Sequence, residues 1–292
     1  MQDNIRQIDI GEVFATTVQT VRERFWPLAG LWAVFFGVQM IFFMFAFFGL
    51  GGAAYAAGLT GADMDPAAML GFGAGMFVFM IVFYFGYLFV LFAQQSAMAT
   101  LASPIEWPDF ANAVQRGFKG GLTLTAASVL LFVLFMIAAF VLMFAGLILQ
   151  AAGDFGALLL SIITTIGGVY LMCRFALLLP VVAVDRVYNP ITALIQSWAM
   201  SAGNVLRIFL VLLVFGIAAL IMFGVPLMLV GLVVSGGAPS TFVQASGLMA
   251  WIMVIIFFAA YLVFAAGAVS TICAVHAQLS QRNAEHLADT FG

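Results

Sequence analysis

The sequence predicts an all-α polytopic membrane protein, and three observations carry that prediction. Of its 292 residues 65% are hydrophobic, against roughly 45–50% in a soluble domain. Only 7% are charged. Apolar stretches of the length a spanning helix needs, about 20 residues, occur six times, at 28–50, 69–93, 122–149, 157–184, 205–234 and 245–275. The whole chain, 1–292, reads as one integral membrane domain.

Taken in order, the segment 9–25 places Ile10, Val13, Phe14, Val18, Val21 and Phe25 at helical spacing. Asp9 and Glu12 have the cap-x-x-Glu form of a capping box. An amphipathic helix therefore precedes the first span, whose start is set by Pro27. A Gly/Ala-rich loop with Asp63, Asp65 and Pro66 leads to the second span. The run Gly71-Phe72-Gly73-Ala74-Gly75 lacks the lysine of a phosphate loop and reads as a close-packing surface for another helix. The segment 108–119 puts Phe110, Ala113, Val114, Gly117 and Phe118 on one face, with Asp109, Asn112, Arg116 and Lys119 on the other.

The turn at 151–156 is short enough to make the third and fourth spans an antiparallel hairpin. Asn189 is a good N-cap for 190–201, with Pro190 at the first helical position and Ile191, Leu194, Ile195 and Trp198 as its apolar stripe. Gly224 and Pro226 predict a kink in the fifth span. The last dozen residues are polar and are expected to fray. Segments 9–25, 108–119 and 190–201 are expected to be three short, separate interfacial helices, with Phe14, Phe110 and Trp198 dipping toward acyl chains. Their recurrence suggests a threefold pseudo-repeat over 8–93, 104–184 and 189–275, aligned on Val18-Gln19, Val114-Gln115 and Ile195-Gln196. Chance similarity between amphipathic helices gives the same match.

Orientation follows from lysine and arginine, which cytoplasmic loops retain. Of the nine, Arg6, Arg22, Arg24, Arg116, Lys119, Arg186 and Arg282 lie in the segments on one side, with Arg174 and Arg207 in helices near it. The opposite loops carry only Asp63, Asp65 and Asp154. Both termini are therefore expected in the cytoplasm. The net charge of −3 is spread out with no basic block, so nucleic acid is not an expected partner. The N-terminus has no short apolar region followed by a small-residue cleavage site, and a cleaved signal peptide is not expected.

Residues able to carry chemistry are sparse. Cys173 and Cys273 fall inside apolar runs and form no metal-binding or redox motif. His276 and His286 stand ten apart, which is not the spacing of a zinc-binding pair, and the scattered acids read as helix caps or solvated faces. No catalytic residue, metal site or cofactor is expected. Gln39, Gln94, Gln95, Ser128, Thr164 and Thr165 within or bordering the spans are expected to form interhelical hydrogen bonds.

Arg174 is the costlier residue. A helix continuous to Asp185 places it about 16 Å inside the boundary, and one ending near Pro180 only about 9 Å. Without a partner at mid-membrane it costs about 2.5–3.5 kcal/mol on the mildest scale. It is therefore expected to face the bundle interior, bonded to an acid (Glu106, Asp109 or Asp185), to helix-end carbonyls or to a headgroup. With Arg22, Arg24, Arg116 and Lys119 it forms the candidate set for contact with lipid or anions.

The stretch 174–203, with Arg174, Leu179-Pro180, Asp185, Pro190, Ala193-Leu194, Ser197-Trp198 and Gly203, resembles the signature of the glycerophosphoryl diester phosphodiesterase membrane domain. The family's namesakes join this domain to a soluble phosphodiesterase domain with a metal-dependent acid and histidine site, which this chain has neither the length nor the residues to form. The resemblance implies a bacterial inner-membrane module without the hydrolase. Its expected role is accessory or scaffolding, with membrane lipids and other membrane-protein subunits as partners. The alternative is a small transporter or lipid-handling protein with a cavity among its helices.

Overall fold

In hydrocarbon each backbone N–H and C=O must be bonded within the chain, and this sequence meets that demand with helices. The computed structural model describes residues 8–59, 66–106, 108–149, 153–224, 226, 228 and 246–291, with backbone alone at 50–59, 66–73, 246–254 and 281–291. In chain order the helices are α1 (Ile10–Leu59), α2 (Pro66–Ala102), α3 (Phe110–Leu149), α4 (Asp154–Phe175), α5 (Leu178–Ala183), α6 (Pro190–Met200), α7 (Val205–Ala219) and α8 (Ser246–Phe291). Among the described residues six stretches are long and apolar enough to span a membrane: Ile10–Gly49, Ala74–Ala102, Phe110–Leu149, Asp154–Ala183, Val205–Gly224 and Ile255–Ser280. Among the described residues there is no strand. The chain is a multi-pass, all-α membrane protein.

Of the three segments expected as separate interfacial helices, only 190–201 is separate. It forms α6, capped by Asn189, whose Oδ1 accepts from the N–H groups of Ile191 (3.0 Å) and Thr192 (3.3 Å). Gly203, at φ 77°, turns the chain from its end toward α7. Segment 9–25 instead runs into the first span as one bent helix. Arg24 leaves helical geometry (φ −115°, ψ 16°) one turn before Pro27, because the proline ring crowds the preceding turn and offers no N–H. The capping box is half realised: Glu12 N–H bonds Asp9 Oδ1 at 3.1 Å, while the Glu12 carboxylate accepts from Gln278 Nε2 at 3.2 Å. Segment 108–119 is continuous with its span, since Gly120 and Gly121 lie against α2 and do not break the helix.

Two further expectations are corrected. The last dozen residues extend α8 as helix to Phe291. Gly75 is not a packing surface, since a methyl built there meets nothing within 4 Å; Gly71 and Gly73 are described by backbone alone. The fifth span's irregularity appears as a π turn, Leu220–Gly224, directly before Pro226, where the missing proline N–H and ring crowding favour widening of the turn. The loop with Asp63 and Asp65 and the predicted end of the fifth span, 229–234, lie outside the described residues.

Packing is uneven along the helices. The buried clusters draw on Leu28–Phe35, Val90–Ala102, Ala113–Ala127, Cys173–Val184, Ile208–Val211 and Ala266–Leu279, all toward the end of the bundle that holds the loops at 103–109 and 184–189. We call this the polar end. Here α3 approaches α2 through glycine: a methyl built on Gly117 stands 2.6 Å from Ala97 Cβ and 2.7 Å from the Ala93 carbonyl, and one on Gly121 stands 2.8 Å from Ala93. Toward the far end, α1 and α2 remain paired through aromatic contacts such as Phe42–Phe83 (5.1 Å) and Phe43–Tyr87 (5.2 Å), and Phe223 joins the α7 side to α8 at Phe257 (5.1 Å). The middle of α4 is bare: every residue from Ser161 to Tyr170 is exposed, so no face of almost three turns is covered by protein, whereas nearer its start Gly156 is buried against Leu149 and Leu160 reaches Gly146 of α3.

A branched side chain at Gly117 must push α3 off α2, and overpacking of this kind costs about 1–3 kcal/mol. Gly117→Val is expected to lower the thermal unfolding midpoint of the detergent-solubilised protein clearly. Gly37→Ala, where a methyl meets nothing within 4 Å, is expected to leave the midpoint unchanged or slightly raised, as it removes a glycine from a helix interior worth about 0.5–1 kcal/mol.

Candidate functional site at the polar end

Helix C-termini leave carbonyls without intrahelical partners, and at the polar end α2, α4 and α5 all terminate. Their orphan carbonyls are reached by side chains from neighbouring helices. Arg24, at the α1 bend and buried, donates through Nη1 to the carbonyls of Leu101, Ser103 (3.0 Å) and Glu106 (3.4 Å), closing the end of α2. Ser197 and Ser201 Oγ donate to the Arg174 carbonyl at 3.0 and 3.3 Å, closing α4. Thr123 Oγ1 donates to the Tyr188 carbonyl just past α5 (3.1 Å), while Thr100 Oγ1 donates to the Ser96 carbonyl of its own helix (2.8 Å) with the Ala183 carbonyl farther off at 3.4 Å.

The loop after α5 sends adjacent charges to opposite partners. Asp185 Oδ2 accepts from Gln196 Nε2 of α6 (2.9 Å) and lies 3.0 Å from Nε2 of His276 on α8, a ring only 1% exposed. Arg186, held at φ 59°, a costly region for a non-glycine residue, donates to both carboxylate oxygens of Glu106 at 2.8 and 2.9 Å. Glu106 also takes Arg116 Nη1 at 2.6 Å. Hydrogen bonds from Arg116 and Arg186 hold its carboxyl below the usual carboxylate range. Two residues of one loop thus connect α6, α8, the α2–α3 connection and α3. Ser280 Oγ donates to the His276 carbonyl one turn back at 2.8 Å and lies 3.3 and 3.4 Å from the two ring nitrogens of His276. The Asp185–His276 contact ties the loop after α5 to α8.

The N-terminal segment is fastened at the same level. Residue Ile8 is gripped on both sides of its peptide, its N–H by Asn204 Oδ1 (3.3 Å) and its carbonyl by Arg207 Nη1 (2.8 Å). Thr17 and Thr271 hydroxyls meet at 3.1 Å between α1 and α8.

Arg174, the predicted polar site, is half-buried at the end of α4. Nε donates to Tyr170 Oη at 2.9 Å and Nη1 to the Trp198 carbonyl at 3.0 Å. Its Cζ lies 4.6 Å from the Trp198 ring centroid and 5.2 Å from that of Tyr170, within cation–π range. A carbonyl near the end of α6 is thus its partner rather than an acid, since Glu106 and Asp185 are engaged elsewhere. Of the other candidates, Arg24 is turned inward and Arg116 is paired with Glu106, whereas Arg22 and Lys119 are exposed. Gln39 Nε2 does bond Gln94 Oε1 across α1 and α2 (2.7 Å), as expected, but Thr164, Thr165 and Ser128 bond carbonyls of their own helices. Phe110 and Trp198 are exposed, while Phe14 packs inward, stacked on Phe215 at 6.0 Å.

The His276–Asp185 and Glu106–Arg186 pairs, separated by 91 and 80 residues, were not found from sequence. No local pattern marks either pair. Among the described residues no cluster of potential metal ligands occurs. No protein-family model, curated protein or solved structure matches the chain.

If Arg24 holds the α2 terminus, Arg24→Met strands buried carbonyls at about 1–3 kcal/mol each. A marked fall in the thermal midpoint is expected. Arg22→Met, two residues away and exposed, is expected to leave it within experimental error.

Proposed function

We propose that the chain is a non-catalytic, accessory or scaffolding module of a bacterial inner membrane, with both termini cytoplasmic, that contacts lipids or a larger membrane complex. The observation that carries this reading is the commitment of polar-end charges to structure: Arg24, Glu106, Arg116, Asp185, Arg186 and His276 each bond another helix or connection. Their bonds hold helices in place, a role that fits a platform. The resemblance of 174–203 to the glycerophosphoryl diester phosphodiesterase membrane domain belongs to the same reading. Its residues have structural tasks here: Asp185 ties α6 to α8, Ala193 is fully buried, Ser197 closes α4, and Trp198 supports Arg174. Arg22 and Lys119, exposed at the polar end, suit attraction to anionic headgroups.

One observation favours a second reading, a lipid-handling protein. The uncovered middle of α4, 161–170, leaves room for acyl chains beside the bundle. Reconstitution into vesicles containing a fluorescent phospholipid separates the two. When dithionite is added outside, an accessory module is expected to leave the inner-leaflet fluorescence protected, as in protein-free vesicles. Loss of that protected fraction would establish lipid movement between leaflets and replace the first reading with the second.

A further inference from the structure

The surroundings of Arg174 have a feature that helix tying does not account for. Two donors of its guanidinium are used, on Tyr170 Oη and the Trp198 carbonyl, while Nη2 has no partner among the described residues. No described carboxylate pairs with it. A cation at the end of a spanning helix, set against two aromatic rings, therefore keeps an unanswered charge and free N–H groups. Such a charge is costly in an apolar setting unless an anion meets it.

The surface leading to it is lipidic. Ile163, Gly167, Tyr170 and Arg174 follow one another at spacings of four, three and four residues, which keeps them on one face of α4. Ile163 and Tyr170 are exposed, and a methyl built on Gly167 meets nothing within 4 Å. This strip is apolar for almost three turns and ends in a cation. On the other side of Arg174, α6 turns Ile191 (59% exposed) and Ile195 (65% exposed) outward, together with Trp198. A short helix with its apolar face outward lies in the headgroup region of a bilayer, and tyrosine and tryptophan favour the same level. A planar guanidinium with a free edge matches phosphate oxygens.

We propose that Arg174 binds the phosphate of a phospholipid whose acyl chain lies along the Ile163–Gly167–Tyr170 strip of α4. Tyr170 and Trp198 hold the guanidinium in place, leaving Nη2 for a phosphate oxygen. This rests on the lipid-contact reading above but is narrower: vesicles could show an accessory module while this site holds no lipid, or lipid transfer while it does.

The test is phospholipid retention by the purified chain in a neutral detergent, read by native mass spectrometry during titration with phosphatidylglycerol and, separately, inorganic phosphate. The wild-type chain is expected to hold a phospholipid about tenfold more tightly than Arg174→Gln, a loss of about 1.4 kcal/mol. Arg282→Gln removes one positive charge from α8 and is expected to bind as wild type, which excludes general charge attraction. Should Arg174→Gln fail to fold, Arg174→Lys keeps the charge without the planar fork and is expected to show a clear loss of binding. Inorganic phosphate is expected not to displace the lipid, because it has no chain to lie on the strip. Equal retention by wild type and the Arg174 variants, or an equal loss in Arg282→Gln, would overturn the proposal. Displacement of lipid by inorganic phosphate would overturn it in favour of a free-anion site.

Discussion

The structure depends on what becomes of the carbonyls where α2, α4 and α5 end. A helix terminus inside a bundle leaves acceptors that water does not reach, and each costs on the order of 1–3 kcal/mol if unmet. Here the donors come from other helices: Arg24 of α1 at the end of α2, Ser197 and Ser201 at the end of α4, and Thr123 of α3 at the loop after α5. Each bond satisfies one element and positions a second. Lipid tails are as apolar as leucine, so helices in a membrane gain little by excluding them and rely on close packing and polar contacts. Both are concentrated at one end of this bundle, where Gly117 and Gly121 let α3 approach α2 and where the loop at 185–186 engages Glu106, Gln196 and His276.

An uneven bundle follows. The polar end is tied through residues distant in sequence, while the far half relies on aromatic contacts along α1–α2 and between the α7 side and α8 and on the packing of α3 against the start of α4, with 161–170 of α4 left uncovered. Thr164 and Thr165 bond back to Leu160 and Ser161 on their own helix, so their hydroxyls are satisfied without a neighbour. That is the condition under which a helix carrying polar residues can face lipid. A platform fixed at one membrane surface and open to acyl chains beyond it accords with an accessory role, and the Arg174 strip is where such a role would have chemical content.

The spans, the third-to-fourth hairpin, the Asn189 cap and the Gln39–Gln94 bond were legible in sequence because each rests on local composition, on caps, or on polar groups that have few alternatives in an apolar run. The interfacial helices were only partly legible. Amphipathic spacing identifies a helical face but not whether the helix stops before the next span; Pro27 bends α1 without ending it, and Gly120-Gly121 continues α3 because α2 lies against it. The polar end was the least legible. Arg24 looked like a surface cation, and only the bend at its own backbone turns it toward α2. Asp185 and His276 meet through the tertiary arrangement alone, and the left-handed geometry of Arg186 that aims it at Glu106 has no signature in a non-glycine residue. Arg174 was singled out for its cost in hydrocarbon, and of the partners expected for it the described residues supply a helix-end carbonyl, with two aromatic rings beside it.

The claim that the bundle is tied at one end while the middle of α4 is left uncovered is tested most directly by nitroxide scanning. Single cysteines labelled in turn from 161 to 170 in lipid vesicles report collision with dissolved oxygen, which concentrates in hydrocarbon. The account predicts uniformly high accessibility with no dip recurring at the helical repeat of about 3.6 residues. The same scan over 190–200 is predicted to show dips at Ala193 and Ser197, which are fully buried. Periodic protection along 161–170 would show that protein covers one face of α4 and would contradict the account.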